Sequence, residues 1–306
     1  MALKQEEIRG LIAGHKLRDM LFDVIGMIVM LFALLVLGAL FVQLVVDGWD
    51  RLTPDFFHNF PSRRASQAGI LPAWVGSLSV MLVTALAAVP VGVAAGVWLE
   101  EYAPKNWFTE VVEINVTNLA GVPSIIYGLL GLGLLVQEFS LGRSVAAAGL
   151  TLAMMILPVV VVATREAIRS VPQTIREAAY GLGATRWQVT RDHVLPYSLA
   201  GILTGVIIGL SRAIGETAPL ITIGAVTFIA FLPASPVSIE APFVSFEWLT
   251  APFTVMPIQM FNWVSRPQAE FHVSAAAAGV VLVAMTLAMN GAAIYLRYRA
   301  RKRIKW

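Results

Sequence analysis

Not one cysteine occurs in the 306 residues, which removes disulfide frameworks, thiol catalysis and cysteine-ligated metal sites from consideration. Charge is scarce as well. Only 13% of the residues are Asp, Glu, Lys or Arg, against about 25% in an average soluble domain, while 58% are hydrophobic and the mean hydropathy is +0.75. A chain so poor in charge is a polytopic membrane protein. Its net charge of +3 does not point to nucleic acid, because the bases gather at the chain ends and in short loops and form no basic face on a soluble domain. His15, His58, His193 and His272 lie far apart and read as isolated surface or interfacial residues. None of Lys4, Lys16, Lys105, Lys302 or Lys305 follows the glycines of a G-x-x-x-x-G-K-[ST] loop, so the chain carries no nucleotide phosphate site of that kind. No repeat of 20–50 residues is visible, since the recurrence of Arg-Glu-Ala at 165–167 and 176–178 is too short to count.

What is present is a succession of apolar runs. Residues 1–20, with Lys4, Arg9, Lys16 and Arg18 among helically spaced Leu3, Ile8, Leu11, Ile12 and Leu17, predict an amphipathic helix on a cytoplasmic membrane surface. The body of the chain, 21–296, divides into six predicted spans. The first covers about 21–46, too long for the core of a signal peptide. The second, about 72–99, holds Pro90 mid-span and Gly92 and Gly96 four apart, a spacing that permits close helix packing in lipid. The third covers about 114–136 and begins with Ala120-Gly121-Val122-Pro123-Ser124; the fourth covers about 144–163. The fifth starts near Ser198 and runs to about Leu232. Residues 233–272 form a loop with six prolines and with Phe243, Phe246, Trp248, Phe253, Trp263 and Phe271, a composition that suits an ordered interfacial cap. The sixth, about 273–296, is followed by a basic tail, 297–306.

Orientation follows from the bases. With both termini and the loops after spans two and four on one side, 16 of the 22 lysines and arginines lie there and five on the other, leaving Arg212 within a span. The positive-inside tendency puts the richer side in the cytoplasm and the loop 233–272 outside.

The cytoplasmic segment 164–197 contains the longest compact polar passage, Arg176–Pro196. Ser170 with Gln173 reads as a capping box for one short helix, and Thr185 with Gln188 as the box for a second. Gly181 and Gly183 between them offer the left-handed backbone that ends helices, and Leu195-Pro196 is expected to stop the second helix. The result is a helical hairpin between two membrane spans.

The other anomaly lies inside the fifth span. Arg212 and Glu216, four apart, share a helix face, and an arginine at mid-membrane costs about 2.5–3.5 kcal/mol on insertion scales, so it should meet a cavity or a partner charge. Two readings stand: a structural ion pair, or a polar lining of a substrate path. Pro219 has no N–H for the carbonyl of Gly215, so a kink or break is expected there, opening backbone groups to an aqueous cavity that suits an anion. Thr217 sits in the same run.

Glu177-Ala178-Ala179, with Gly183 six positions after the glutamate and Leu195-Pro196 beyond, resembles the EAA loop of ATP-binding-cassette (ABC) importer permeases. An ordinary helical hairpin would carry similar caps, but here three elements agree in spacing and in side. The runs Ala120–Ile125, Arg212–Leu220 and Glu177–Pro196 together are similar to PstA-type permeases of bacterial phosphate importers, over nearly all six spans, with Gly-Glu-Thr-Ala-Pro pointing to that type over its sister permease. The resemblance implies an all-α, six-span, type I (MetI-like) permease fold, and inorganic phosphate moved inward across the bacterial cytoplasmic membrane by alternating access. It implies that Glu177, Ala178, Ala179 and Gly183 meet an ATPase, and that Arg212, Glu216 and Thr217 line the path at a break at Gly215 and Pro219. It also implies partners: a second permease of the PstC type, two PstB-type ATPase subunits holding ATP and magnesium, and a periplasmic or lipid-anchored PstS-type phosphate-binding protein. No catalytic residue, metal or cofactor is expected in this chain. Arginine suits phosphate because its planar fork makes paired charge-assisted hydrogen bonds. In one respect the sequence departs from the type: Pro158 is followed by Val159–Val162 where an arginine is expected, and Arg165 is the nearest base. Alternatives are a permease for another oxyanion (phosphonate, sulfate, molybdate), or an ion-coupled secondary transporter working alone, in which the hairpin has no evident purpose.

Overall fold

A computed structural model of the chain describes residues 5–235 and 245–303; Lys4, Pro236, Pro242, Phe243 and Lys305 fall outside them. The described chain is helical, with one isolated antiparallel bridge, Ser144 to Pro252. Helix α1 (Gln5–Gly48) is continuous through residue 20, where a change from surface helix to span was expected. Its apolar part, from Arg18, is unburied in this chain. A short helix α2 (Pro54–His58) buries Phe56, and the Arg51 guanidinium donates to the carbonyls of Ala65 and Ala68 at 2.8 and 2.7 Å, folding the loop between the first two spans into an ordered lobe. Helix α3 (Leu71–Val97) starts with Pro72 in its first turn, where the missing donor costs nothing, runs through Pro90, and finishes in a wide π turn, Trp98–Tyr102.

The third span departs from expectation. Instead of one helix from residue 114, the chain forms α4 (Trp107–Leu119), turns, and resumes as α5 (Ser124–Gly131) with a π turn to Glu138, the two helices bent by 104°. The cause is local. Val122 precedes a proline and is pushed out of the helical region, while the N–H groups of Gly121 and Val122 close tight turns on Asn118 and Leu119 at 3.0 and 3.1 Å. Upstream, Asn106 accepts from the Thr109 N–H at 2.9 Å and starts α4 inside what was expected to be a polar loop.

Helix α6 (Val145–Arg169), capped by Ser144, is the central helix. It is followed by α7 (Gln173–Gly181), α8 (Arg186–Gln188), a π turn (Val189–Val194) and α9 (Leu195–Ile214). Leu195-Pro196 therefore does not stop a helix: the widened turn ahead of it makes room for the proline ring, and the chain passes directly into the fifth span. That span ends at Ile214. A six-residue helix α10 (Ala218–Ile223) follows and stops at Gly224, whose φ of +96° is left-handed, so the apolar run to Leu232 is not helical. The loop 233–272 carries an unforeseen helix, α11 (Met256–Val264), with Pro257 in its first turn, and buries Phe253, Trp263 and Phe271. Helix α12 (Ala269–Arg303) completes the chain.

Five of these helices are long and apolar enough to cross a membrane, and the bent pair α4–α5 makes a sixth if it is counted as one broken span. Small residues bring them together. A Cβ on Gly92 or Gly96 of α3 would lie 2.8 Å from Val160 or 2.6 Å from Thr164 of α6, and one on Gly201 of α9 would lie 2.7 Å from Ala167. Gly205 meets Ala163 in the same way. Two pairs of glycines, each four apart, thus seat α3 and α9 on α6, the close approach through which membrane helices gain dispersion contacts.

Candidate functional site

Two groups of residues stand out, one at each end of α9. The 20 residues of α9 rise about 30 Å, so the groups are separated by about the apolar thickness of a membrane.

At the far end, Arg212 occupies the last turn of α9 and its Nε lies 3.5 Å from Glu216 Oε1. Its side chain is 41% exposed and that of Glu216 18%, so the arginine is on an open face of this chain and is not buried. Among the described residues its two terminal amino groups have no partner. Gly215 caps α9, the Glu216 N–H reaches back to Ala213 at 3.2 Å, and Thr217 opens α10 with its carbonyl accepting from Leu220 and Ile221. Pro219 sits in the first turn of α10, where a missing N–H is harmless, so the span breaks cleanly and does not kink. The break in the third span lies against this one. Gly128 of α5 packs on Pro219 and on the Thr222 hydroxyl so closely that a side chain would collide with both. Tyr127 donates its hydroxyl proton to the Leu119 carbonyl at 2.8 Å, bracing the α4–α5 bend, and stands within electrostatic reach of Arg212. Neither Tyr127 nor Gly128 is distinguishable in sequence from ordinary span residues.

At the near end, the hairpin turns at Gly183 alone; Gly181, also expected to be left-handed, is the last residue of α7. Gly183 has φ +83°; its N–H bonds the Tyr180 carbonyl at 2.9 Å and the Ala184 N–H bonds Ala179 at 3.1 Å, the paired arrangement of a Schellman cap. Thr185 and Gln188 form a reciprocal capping box. The box expected at Ser170 and Gln173 is absent: Ser170 closes α6, its hydroxyl donates back to Ala167 at 2.7 Å, and Pro172 holds the N-cap position of α7. Glu177, Ala178 and Gly183 are exposed, and Leu182, not singled out in sequence, is 90% exposed at the tip. Ala179, at 5% exposure, packs inward with Ile168, Val171, Val189 and Val194 and lies beneath the exposed tip.

Charged residues crowd the base of the hairpin. Arg165, 6% exposed, is paired with Glu113 at 2.7 Å and lies 3.6 Å from Glu100, so it serves the helix ends and supplies no second arginine beside Arg212. Arg169 bonds both Glu100 oxygens, at 3.1 and 2.9 Å. Arg176 pairs with Glu101 at 2.8 Å. No group of residues fit to hold a metal ion occurs among the described residues.

Residues 88–302 match the family described as "Binding-protein-dependent transport system inner membrane component". The chain belongs to this family. Relatives include a probable ABC transporter permease of Bacillus subtilis, YqgI, 31% identical over 85% of this chain and 88% of its own. The phosphate transport permease PstA of Yersinia pestis is 31% identical over 89% and 87%, and PstC of Pasteurella multocida 32% over 71% and 74%. In fold the permease is similar to the inward-facing MetNI methionine ABC transporter, with a TM-score of 0.57 and 17% identity, covering 74% of this chain and 93% of that one. It is a multi-pass inner-membrane ABC permease subunit of the Pst type, with relatives named PstA and PstC at nearly equal identity.

Proposed function

We propose that the permease moves inorganic phosphate inward by alternating access, as one half of a permease heterodimer driven by separate ATPase subunits. The observation that carries the substrate is Arg212. Among the described residues Glu216 meets only its Nε and the two terminal amino groups have no partner, so the guanidinium keeps a fork that donates to two oxygens of a tetrahedral anion. Glu216 orients the arginine, and a carboxylate beside the site favours an anion that brings its own proton, as monohydrogen or dihydrogen phosphate does. Thr217, at the break between α9 and α10, adds a hydroxyl able to donate or accept. The names of the relatives PstA and PstC support the same cargo.

The drive enters at the hairpin. Glu177, Ala178, Leu182 and Gly183 form its exposed tip, with Ala179 supporting them from beneath. An ATPase subunit, binding ATP and magnesium, docks there; both termini share its cytoplasmic side, and a soluble phosphate-binding protein delivers cargo to the side bearing α2 and α11. The permease itself hydrolyses nothing. The experiment is reconstitution with the partner subunits: phosphate should stimulate ATP hydrolysis and be taken up, and stimulation by sulfate, molybdate or a phosphonate alone would contradict the assignment.

A further inference from the structure

The hairpin is fastened to more than the two spans that flank it. Its first arm, α7, carries Arg176, whose Nη2 and Nε lie 2.8 and 3.2 Å from Glu101 Oε1. The same guanidinium donates to the carbonyls of Val171 and Ile168 at 2.7 and 3.0 Å. Arg176 and Glu101 are 9% and 8% exposed. The second arm carries Thr190, fully buried, which meets the Tyr102 hydroxyl at 3.3 Å, while the Arg186 guanidinium lies 5.1 Å over the Tyr102 ring. Glu101 and Tyr102 are neighbours in the π turn that ends α3. That turn contains one residue more than an α turn, rotating the downstream residues by about 100°. Both arms therefore close on one short piece of the second span.

Simple stabilisation is a poor account of this pair, since a buried ion pair is often matched or bettered by apolar residues of the same size. What such a pair supplies is direction: a fixed bond between two backbones that neither can leave without exposing an unpaired buried charge. We propose that Glu101 is a positioning residue for transport, which holds Arg176 so that the hairpin moves α3 together with α6 and α9. Gly92 and Gly96 already seat α3 on α6, so displacement of the hairpin is delivered to three spans as one body. The inference deepens the reading of the hairpin as the entry point for the ATPase and rests on it.

The chain's lack of cysteine allows direct spin labelling. Labels at Tyr180→Cys on the hairpin and Leu86→Cys on the outward face of α3 are to be placed in the assembled complex, and the distance between them recorded with and without ATP. The distance should stay fixed in the otherwise unaltered chain and broaden or shift in Glu101→Gln and in Arg176→Gln, with the double variant no worse than either. Phosphate taken up per ATP hydrolysed should fall about tenfold in the same variants while the complex still assembles, and Glu101→Asp should restore part of it. An unchanged label distance in Glu101→Gln overturns the proposal, as does a loss of uptake that merely follows the amount of complex formed. Gly183→Val separates the two readings: if it leaves uptake per ATP untouched while Glu101→Gln shifts the labels, the tie stands and the ATPase docks elsewhere. If Gly183→Val lowers the ratio and Glu101→Gln changes neither quantity, the tie alone fails.

Discussion

Among the described residues Arg212 makes a single contact, 3.5 Å to Glu216, which leaves most of its hydrogen-bonding capacity unused. The charge alone and the shape of the charge make different predictions. Arg212→Ala should abolish phosphate uptake with the complex still assembled, because the side chain is on an open face and no buried partner is left unpaired. Arg212→Lys keeps the charge and loses the fork; with a hydrogen bond to a charged group contributing about 1.5–3 kcal/mol, apparent affinity should fall about ten- to a hundredfold. Uptake kinetics over a phosphate series check both. Equal behaviour of the lysine variant and the original would remove bidentate recognition from the account, and loss of assembly in Arg212→Ala would favour a structural pair. The arginine was legible in sequence because an ionisable group inside an apolar run has few explanations. Its exposure was not, because nothing in a linear pattern says which face of a helix is left open.

Among the elements, the hairpin was the most readable and the third span the least. Gly183 stands where a left-handed residue ends α7, and Thr185 with Gln188 starts the next helix, so the chemistry of three residues decided the local structure. The π turns at 98–102 and 189–194 have no such signature: they redistribute hydrogen bonds among residues that would serve equally in an α-helix, and tertiary contacts choose between the two. The burial of Ala179 is of the same kind, an outcome of packing against the core below the hairpin; the 104° bend at Ala120–Pro123 has a local cause in Val122-Pro123, but one set inside an otherwise unbroken apolar run. Gly183 yields a sharp test. A Cβ there would meet nothing within 4 Å in this chain, so within the chain the effect of substitution is conformational, about 1–3 kcal/mol for a residue forced into this region. Gly183→Val should lower uptake per ATP while the chain stays in the membrane, whereas Gly183→Asn, which tolerates positive φ, should retain most of it. Uptake and hydrolysis measured side by side decide; identical ratios for both variants would mean that the left-handed turn is not needed for coupling.

On the scale of the whole molecule, composition alone carried the membrane class, and the apolar runs carried the number of spans, because both are sums over many residues. The order of helices around α6 depended on four glycines, of which only Gly92 and Gly96 drew attention in the sequence. Orientation rests on the uneven distribution of bases. Single cysteines in this cysteine-free chain can test it: Tyr180→Cys should react with a membrane-impermeant thiol reagent only from the cytoplasmic side, and Glu247→Cys only from the outside. The opposite pattern would invert the hairpin and separate it from any ATPase. Cargo and drive meet in one measurement, ATP hydrolysis by the complex reconstituted with its partner ATPase, second permease and binding protein, recorded against inorganic phosphate and against other oxyanions. The account predicts stimulation by phosphate that disappears in Arg212→Ala; hydrolysis indifferent to phosphate, or stimulated only by a different anion, would contradict it.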